Sequence, residues 1–289
     1  MAIDNNEDQT PVSIWHYTTA GGLEGILRTG SIYATDIQYL NDSKEWRHIT
    51  RVVQEEVGSE ASLEEFSKLL TNFEDGVLSQ IDCYVACFCM NGDLLNQWRG
   101  YSGGTGGFSI ELDPNVLIAA QATDSGPGDS WSHSSVIYKE ADQREFIREK
   151  LRDSLPVLGR LLADAIAKGT PEPHREAAMI AFGLALLQIT REAPKFKAEA
   201  FETEEEWRMF KIVAHDDPFP RLLRQGSFGL TPYLPLSLGE KEGPSPIRGV
   251  IVGPTTHPKL AMKAVRQSLL SHGHALASDN VTLSNLSFR

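Results

Sequence analysis

The chain has 289 residues, 41% of them hydrophobic and 23% charged, the balance of a folded globular protein rather than a disordered one. Its formal charge of -12 argues against a broad grip on nucleic acid, which needs concentrated Lys and Arg to replace counterions. No apolar run reaches bilayer-crossing length, and the opening MAIDNNEDQT lacks the basic-then-apolar order of a secretory signal. The expectation is a cytoplasmic protein with no membrane partner.

In chain order, 12–15 is a short apolar entry strand closed by His16, Tyr17 and Thr18. Leu23, Ile26 and Leu27 then share one face of a short helix over 21–27, and Gly30 ends it. An extended piece follows at 32–34. Asn41, Asp42 and Ser43 offer short side-chain oxygens to cap a further helix, and 61–70 reads as another amphipathic helix. The run 81–89 is a central strand. Its three cysteines, at 83, 87 and 89, share one face with Val85, while Tyr84, Ala86 and Phe88 share the other. That alternation, and the lack of an evident fourth ligand, favours core packing over a zinc site.

Residues 91–107 read as a glycine-rich loop carrying Gln97, Trp98, Arg99 and Tyr101, with a strand at 108–112 after it. Pro114 suits a first helical turn. A polar connector spans 121–133, a short strand 136–138, and long helices 144–165 and 176–191. Strands follow at 207–213, 228–236 and 250–252, then a helix at 258–270 and a last extended piece at 281–286. Short sheet-forming segments flank the helical middle. The expected organisation is therefore one α+β domain over 1–289, with 140–195 as a helical insertion.

Several residues combine chemically useful groups. His16 can donate from one ring nitrogen and accept at the other, which suits a ribose hydroxyl or an amide, or equally a backbone carbonyl inside the fold. Thr18 can cap the following helix, and Tyr17 can line a core or a cleft. In the glycine-rich loop, Arg99 could meet phosphate oxygens and Trp98 or Tyr101 could stack a planar base. The loop is nevertheless neither GxGxxG nor a phosphate loop. Glu204 and Glu206 would point to one side of an extended backbone, with Glu205 opposite and Arg208 able to balance one charge. A solvated acidic strand start is the ordinary alternative.

WHYT at 15–18, YLNDSKEW at 39–46, CFC followed by NQWRGYSGG, GFSIEL at 107–112, FETEEEWR at 201–208, IVGPTTHP and the terminal SNLSFR occur in that order. Together they resemble the bacterial domain of unknown function 2971 family, itself similar to the ADP-ribosyltransferase fold. The resemblance implies a mixed sheet around a nucleotide cleft and NAD as substrate. It would give His16 a role in ribose binding and make Glu206 the catalytic carboxylate, supported by Glu204. Tyr101 would pack nicotinamide, with Tyr33 as a rival, and Tyr17, Thr18 and Arg99 would complete the cofactor site. No metal is required. The ADP-ribose acceptor, a macromolecule or a small molecule, is unspecified. NAD hydrolysis, an RNA phosphotransferase-like activity, and a non-catalytic nucleotide- or protein-binding module are the alternatives.

Overall fold

A computed structural model describes residues 10–40, 51–53, 55–56, 81–102, 106–122, 130–150, 188–189, 191–215, 217, 221–226, 229–239 and 243–287. The expected helix cap at 41–43, the expected helix at 61–70 and most of the 140–195 insertion lie outside these residues. Ten strands are described: β1 Ile14–Thr18, β2 Ser31–Asp36, β3 Ile81–Cys89, β4 Phe108–Leu112, β5 Ser132–Ser135, β6 Glu206–Ala214, β7 Leu222–Gly226, β8 Gly229–Ser237, β9 Ile247–Val252 and β10 Val281–Leu283. The helices are α1 Ala20–Thr29, α2 Leu95–Tyr101, α3 Pro114–Ala122, α4 Pro258–Ser271 and α5 Ala275–Asp279. None among the described residues is long and apolar enough to cross a membrane.

All ten strands form one mixed sheet that forks at β3. One edge of β3 pairs with β6 along its whole length, from Ile81↔Ala214 to Cys89↔Glu206. The other edge is shared. β2 takes its middle through Thr35↔Val85 and Asp36↔Tyr84, whereas β1 touches only its end, at Trp15↔Cys89. One arm continues from β1 through β4 and β9 to β10, and the other from β2 through β8 to β7. β5 lies outside β6, with Ser134 opposite Arg208.

Strand alternation sorts the side chains onto two faces. Tyr84, Ala86, Phe88, Trp207 and Met209 join the main core, which Leu23, Ile26 and Leu27 of α1, Leu117 of α3, and Val265 and Leu269 of α4 cover. On the opposite face, Cys83 and Val85 pack with Ile37 and Phe210, while Cys89 packs with Tyr17 and Trp98. The expected alternation of the cysteine strand is therefore observed. All three cysteines are free thiols. Burial raises the Cys83 and Cys87 thiols well above their ordinary value and pushes Cys89 up to about 12.

Local chemistry explains several boundaries. Thr19, rather than Thr18, caps α1 by accepting from the Gly22 amide at 3.2 Å. Gly30 ends the helix at φ 63°, and its amide donates to the Ile26 carbonyl at 2.8 Å. The expected loop at 91–107 contains α2 because Gln97 and Trp98 are buried. Trp98 is pinned: its indole donates to Asp93 at 2.7 Å, and the Tyr17 ring meets it edge-on with centroids 4.8 Å apart. The strand expected at 136–138 lies instead at β5, and Ile137 makes a single parallel bridge to Phe196.

Two glycines make opposite predictions. A Cβ on Gly253 would stand 2.8 Å from the Trp98 ring and 3.1 Å from the Gly107 carbonyl oxygen, so Gly253→Ala should destabilise by about 1–3 kcal/mol. A Cβ on Gly25, inside α1, would meet nothing within 4 Å, so Gly25→Ala should stabilise by roughly 0.5–1 kcal/mol. Urea unfolding of both variants tests the assignment. Equal shifts would contradict the packing at Trp98.

Candidate functional site

The densest cluster of charge among the core strands lies where β6 begins. The acidic run before it is not extended: Glu199–Glu204 forms a 3-10 helix, and Glu205 reverses the chain at φ 47°. Glu206 then enters the strand opposite Cys89, with its side chain on the face that carries Cys87 and Arg208.

Glu206 is almost fully buried and held by two cations. Arg208 donates to its two carboxylate oxygens at 2.9 and 3.0 Å, and Lys197 Nζ donates to Oε2 at 2.9 Å. The Cys87 side chain lies on the same face, close enough to favour the ionised carboxylate. Lys197 bridges onward to Glu204 at 2.8 Å and lies 4.9 Å from the Phe201 ring centroid. Arg208 reaches the Pro194 carbonyl at 2.9 Å, and the Glu206 amide donates to the Tyr138 hydroxyl at 2.7 Å. Burial alone would raise the Glu206 carboxyl. The adjacent Arg208 and Lys197 cations outweigh it and hold the group at about 2.

The residues expected to form one site divide. Tyr101 ends α2 with its side chain 44% exposed, while its hydroxyl is desolvated and feels Cys87, Glu204, Lys197 and Glu206. Tyr101, Glu204 and Glu206 therefore belong to one neighbourhood. His16 does not share their face. Trp15 pairs with Cys89 and so lies on the Glu206 side, which turns His16 to the opposite side, where its ring meets Phe88 at 5.7 Å. At the fork, its Nδ1–H donates to the Cys87 carbonyl at 3.1 Å. Burial lowers its pKa, so it is a neutral ring satisfying a backbone group.

Tyr17 is also engaged structurally. Its hydroxyl donates to the Asn91 carbonyl at 2.9 Å and accepts from the Leu94 amide at 2.8 Å. Thr18 sits opposite Phe108 at the end of β1, and Arg99 is exposed on α2. Sequence reasoning missed Lys197, which lies nine residues before Glu206 in an irregular strap. Cys87 was read only as core.

A second feature was also missed. β7 ends one arm of the sheet, and among the described residues its outer edge pairs with no strand. Leu222 is 44% exposed, Leu223 57% and, opposite Gln225 on β8, Leu230 66%. The sequence signal was weak, because LLRQG follows a proline-rich stretch and does not alternate.

In class, the chain is a mixed α+β domain built on a forked sheet. Residues 97–209, less than half of the chain, match the family described as "Protein of unknown function (DUF2971)". No curated protein and no solved structure matches. The matched segment contains Tyr101, Tyr138, Lys197, Glu204, Glu206 and Arg208, but neither His16 nor the cysteines.

These findings overturn the transferase, NAD and nucleotide-binding reading. The matching family is described only as of unknown function, and no group of His, Cys, Asp or Glu suited to a metal ion occurs among the described residues. The geometry supplies the physical reason. Glu206 is engaged by Arg208 and Lys197, and His16 lies across the sheet from it.

Glu206→Gln should cost about 3–5 kcal/mol, because Arg208 and Lys197 would stay buried with their shared negative charge removed. The pH dependence has a definite sign. The folded-state pKa is depressed from 4.5 to about 2, so the contribution is present above 4.5 and lost as pH falls through 2. Stability measured between pH 5 and pH 2 should fall more steeply for the native chain than for Glu206→Gln. Parallel curves would refute the ion network.

Proposed function

We propose that this chain is a non-catalytic protein-binding module that accepts an extended segment of a partner along β7. The observation carrying this reading is the β7 edge, open among the described residues, with exposed leucines on both faces of the ribbon that it forms with β8. An unpaired strand presents a row of donors and acceptors, and natural proteins usually blunt such an edge with charge, proline or a covering element. Apolar side chains on both faces favour covering by another chain. Strand addition satisfies both requirements: the backbone supplies hydrogen bonds and the side chains supply selectivity.

The register indicates which groups are offered. Gly226 lies opposite Gly229 across a two-residue connection, the geometry of a closing hydrogen-bonded pair. Leu222, Arg224 and Gly226 then turn their backbone groups toward β8, and Leu223 and Gln225 turn theirs outward. The engagement of Glu206 supports the non-catalytic half of the reading, because its carboxylate is held in a buried ion network with Arg208 and Lys197.

The test is site-specific crosslinking in the cells that make the protein. A benzophenone side chain at Leu223 or Leu230 should give a discrete adduct with one partner, whereas one at the still more exposed Leu276 on α5 should not. Gln225→Pro, which deletes an outward amide without touching the β8 ladder, should reduce the adduct by about tenfold. Equal labelling from Leu276, or labelling insensitive to Gln225→Pro, would refute strand addition.

A further inference from the structure

Arg224 sits at the centre of β7, opposite Thr231, and is only partly exposed. Its Nη2 donates to Thr35 Oγ1 at 3.0 Å, its Nε is buried with no hydrogen-bond partner, and it forms no ion pair with the described residues. The chain has 39 acidic residues against 27 basic ones, so carboxylates are plentiful elsewhere. The other partly buried arginines follow a different pattern: Arg144 pairs with Glu55 and Glu56, and Arg221 with Asp82. On the same face as Arg224, Tyr33 and Tyr233 pack with ring centroids 4.1 Å apart. Neither β7 nor β8 contains an acidic residue.

We infer that the segment added to β7 carries a carboxylate opposite Arg224, flanked by apolar residues that cover Leu222 and Leu223. This rests on the strand-addition reading and specifies its partner. Because Arg224 turns its backbone toward β8, it meets an added antiparallel strand in a non-hydrogen-bonded pair, where side chains approach most closely. An Asp or Glu there reaches the guanidinium from the open side. A second copy of β7 cannot supply that group, since LLRQG holds no carboxylate and two-fold pairing about Arg224 would oppose two arginines. The occupant is therefore a different, acidic segment.

The test uses the full chain and two acetylated, amidated decapeptides of alternating threonine and valine, one with a central Glu and one with Gln. Binding is followed by titration and by hydrogen exchange at the Leu223 and Gln225 amides. The Glu peptide should bind about tenfold more tightly than the Gln peptide, and Arg224→Gln should abolish that difference while both peptides still protect the β7 amides. If both peptides protect β7 with equal affinity on the native chain, the carboxylate inference falls and strand addition stands. If neither protects β7, both fall. Discrimination that survives Arg224→Gln would move the carboxylate's partner elsewhere and overturn the assignment.

Discussion

The buried carboxylate of Glu206 is the constraint on which the arrangement around β6 depends. Two cations held out of water at Arg208 and Lys197 are tolerable only because one carboxylate takes both, with Glu204 as the second anion. The four groups sum to zero formal charge, so the cluster is internally balanced in a strongly acidic chain. Its members come from a strand, a 3-10 helix and an irregular strap. Closing the network fixes where 194–204 runs relative to β6. The Tyr138 hydroxyl, which takes the Glu206 amide, and Gln143, which donates to the Ile137 and Lys197 carbonyls, extend the same anchorage toward the helical run at 140–150.

Outward from that anchorage, the fork in the sheet decides what can meet what. β3 offers one full edge to β6 and divides the other between β1 and β2, which leaves a backbone group unmatched where β1 departs. His16 occupies that place. Its ring nitrogen replaces a ladder bond to the Cys87 carbonyl, so a histidine that resembles a reactive group by sequence behaves as part of the sheet. The same geometry places Tyr17 and Trp98 on the far side, where Asp93 joins them to Ser284 and Asn285 near the carboxy terminus. Conserving donors and acceptors at an irregular junction is sufficient to explain these polar side chains.

Local signals made the regular parts legible. The alternating cysteine strand, the leucine–isoleucine face of α1 closed by Gly30, and the proline-started α3 and α4 all follow from residues within a single element. The misses share a different cause. β5 is the all-polar stretch SHSS and becomes a strand only because β6 supplies a ladder. α2 looked like a loop because glycines dominate its C-terminal side, yet the burial of Trp98 holds a helix there. Lys197 was invisible as a partner of Glu206 because nine residues of irregular chain must fold back to join them. The acidic pair was read as neighbours on one strand. Lys197 does join their carboxylates, but only after Glu205 has reversed the backbone.

The two ends of the sheet solve the edge problem differently, which gives β7 its significance. At one end, β10 is three residues long and runs parallel to β9. Arg266 reaches its Val281 carbonyl, and α4 and α5 lie beside it. Short length and helical cover are ordinary ways to keep an edge from recruiting another strand. At the other end, β7 pairs with β8 over five residues, exposed leucines lie on both faces of this ribbon, and its two prolines, Pro232 and Pro235, both belong to β8. Stability alone would favour proline or a covering element on such an edge. β7 instead carries exposed leucines and a single charge, Arg224, that forms no ion pair with the described residues, and this is the arrangement that the proposed acidic strand would complement.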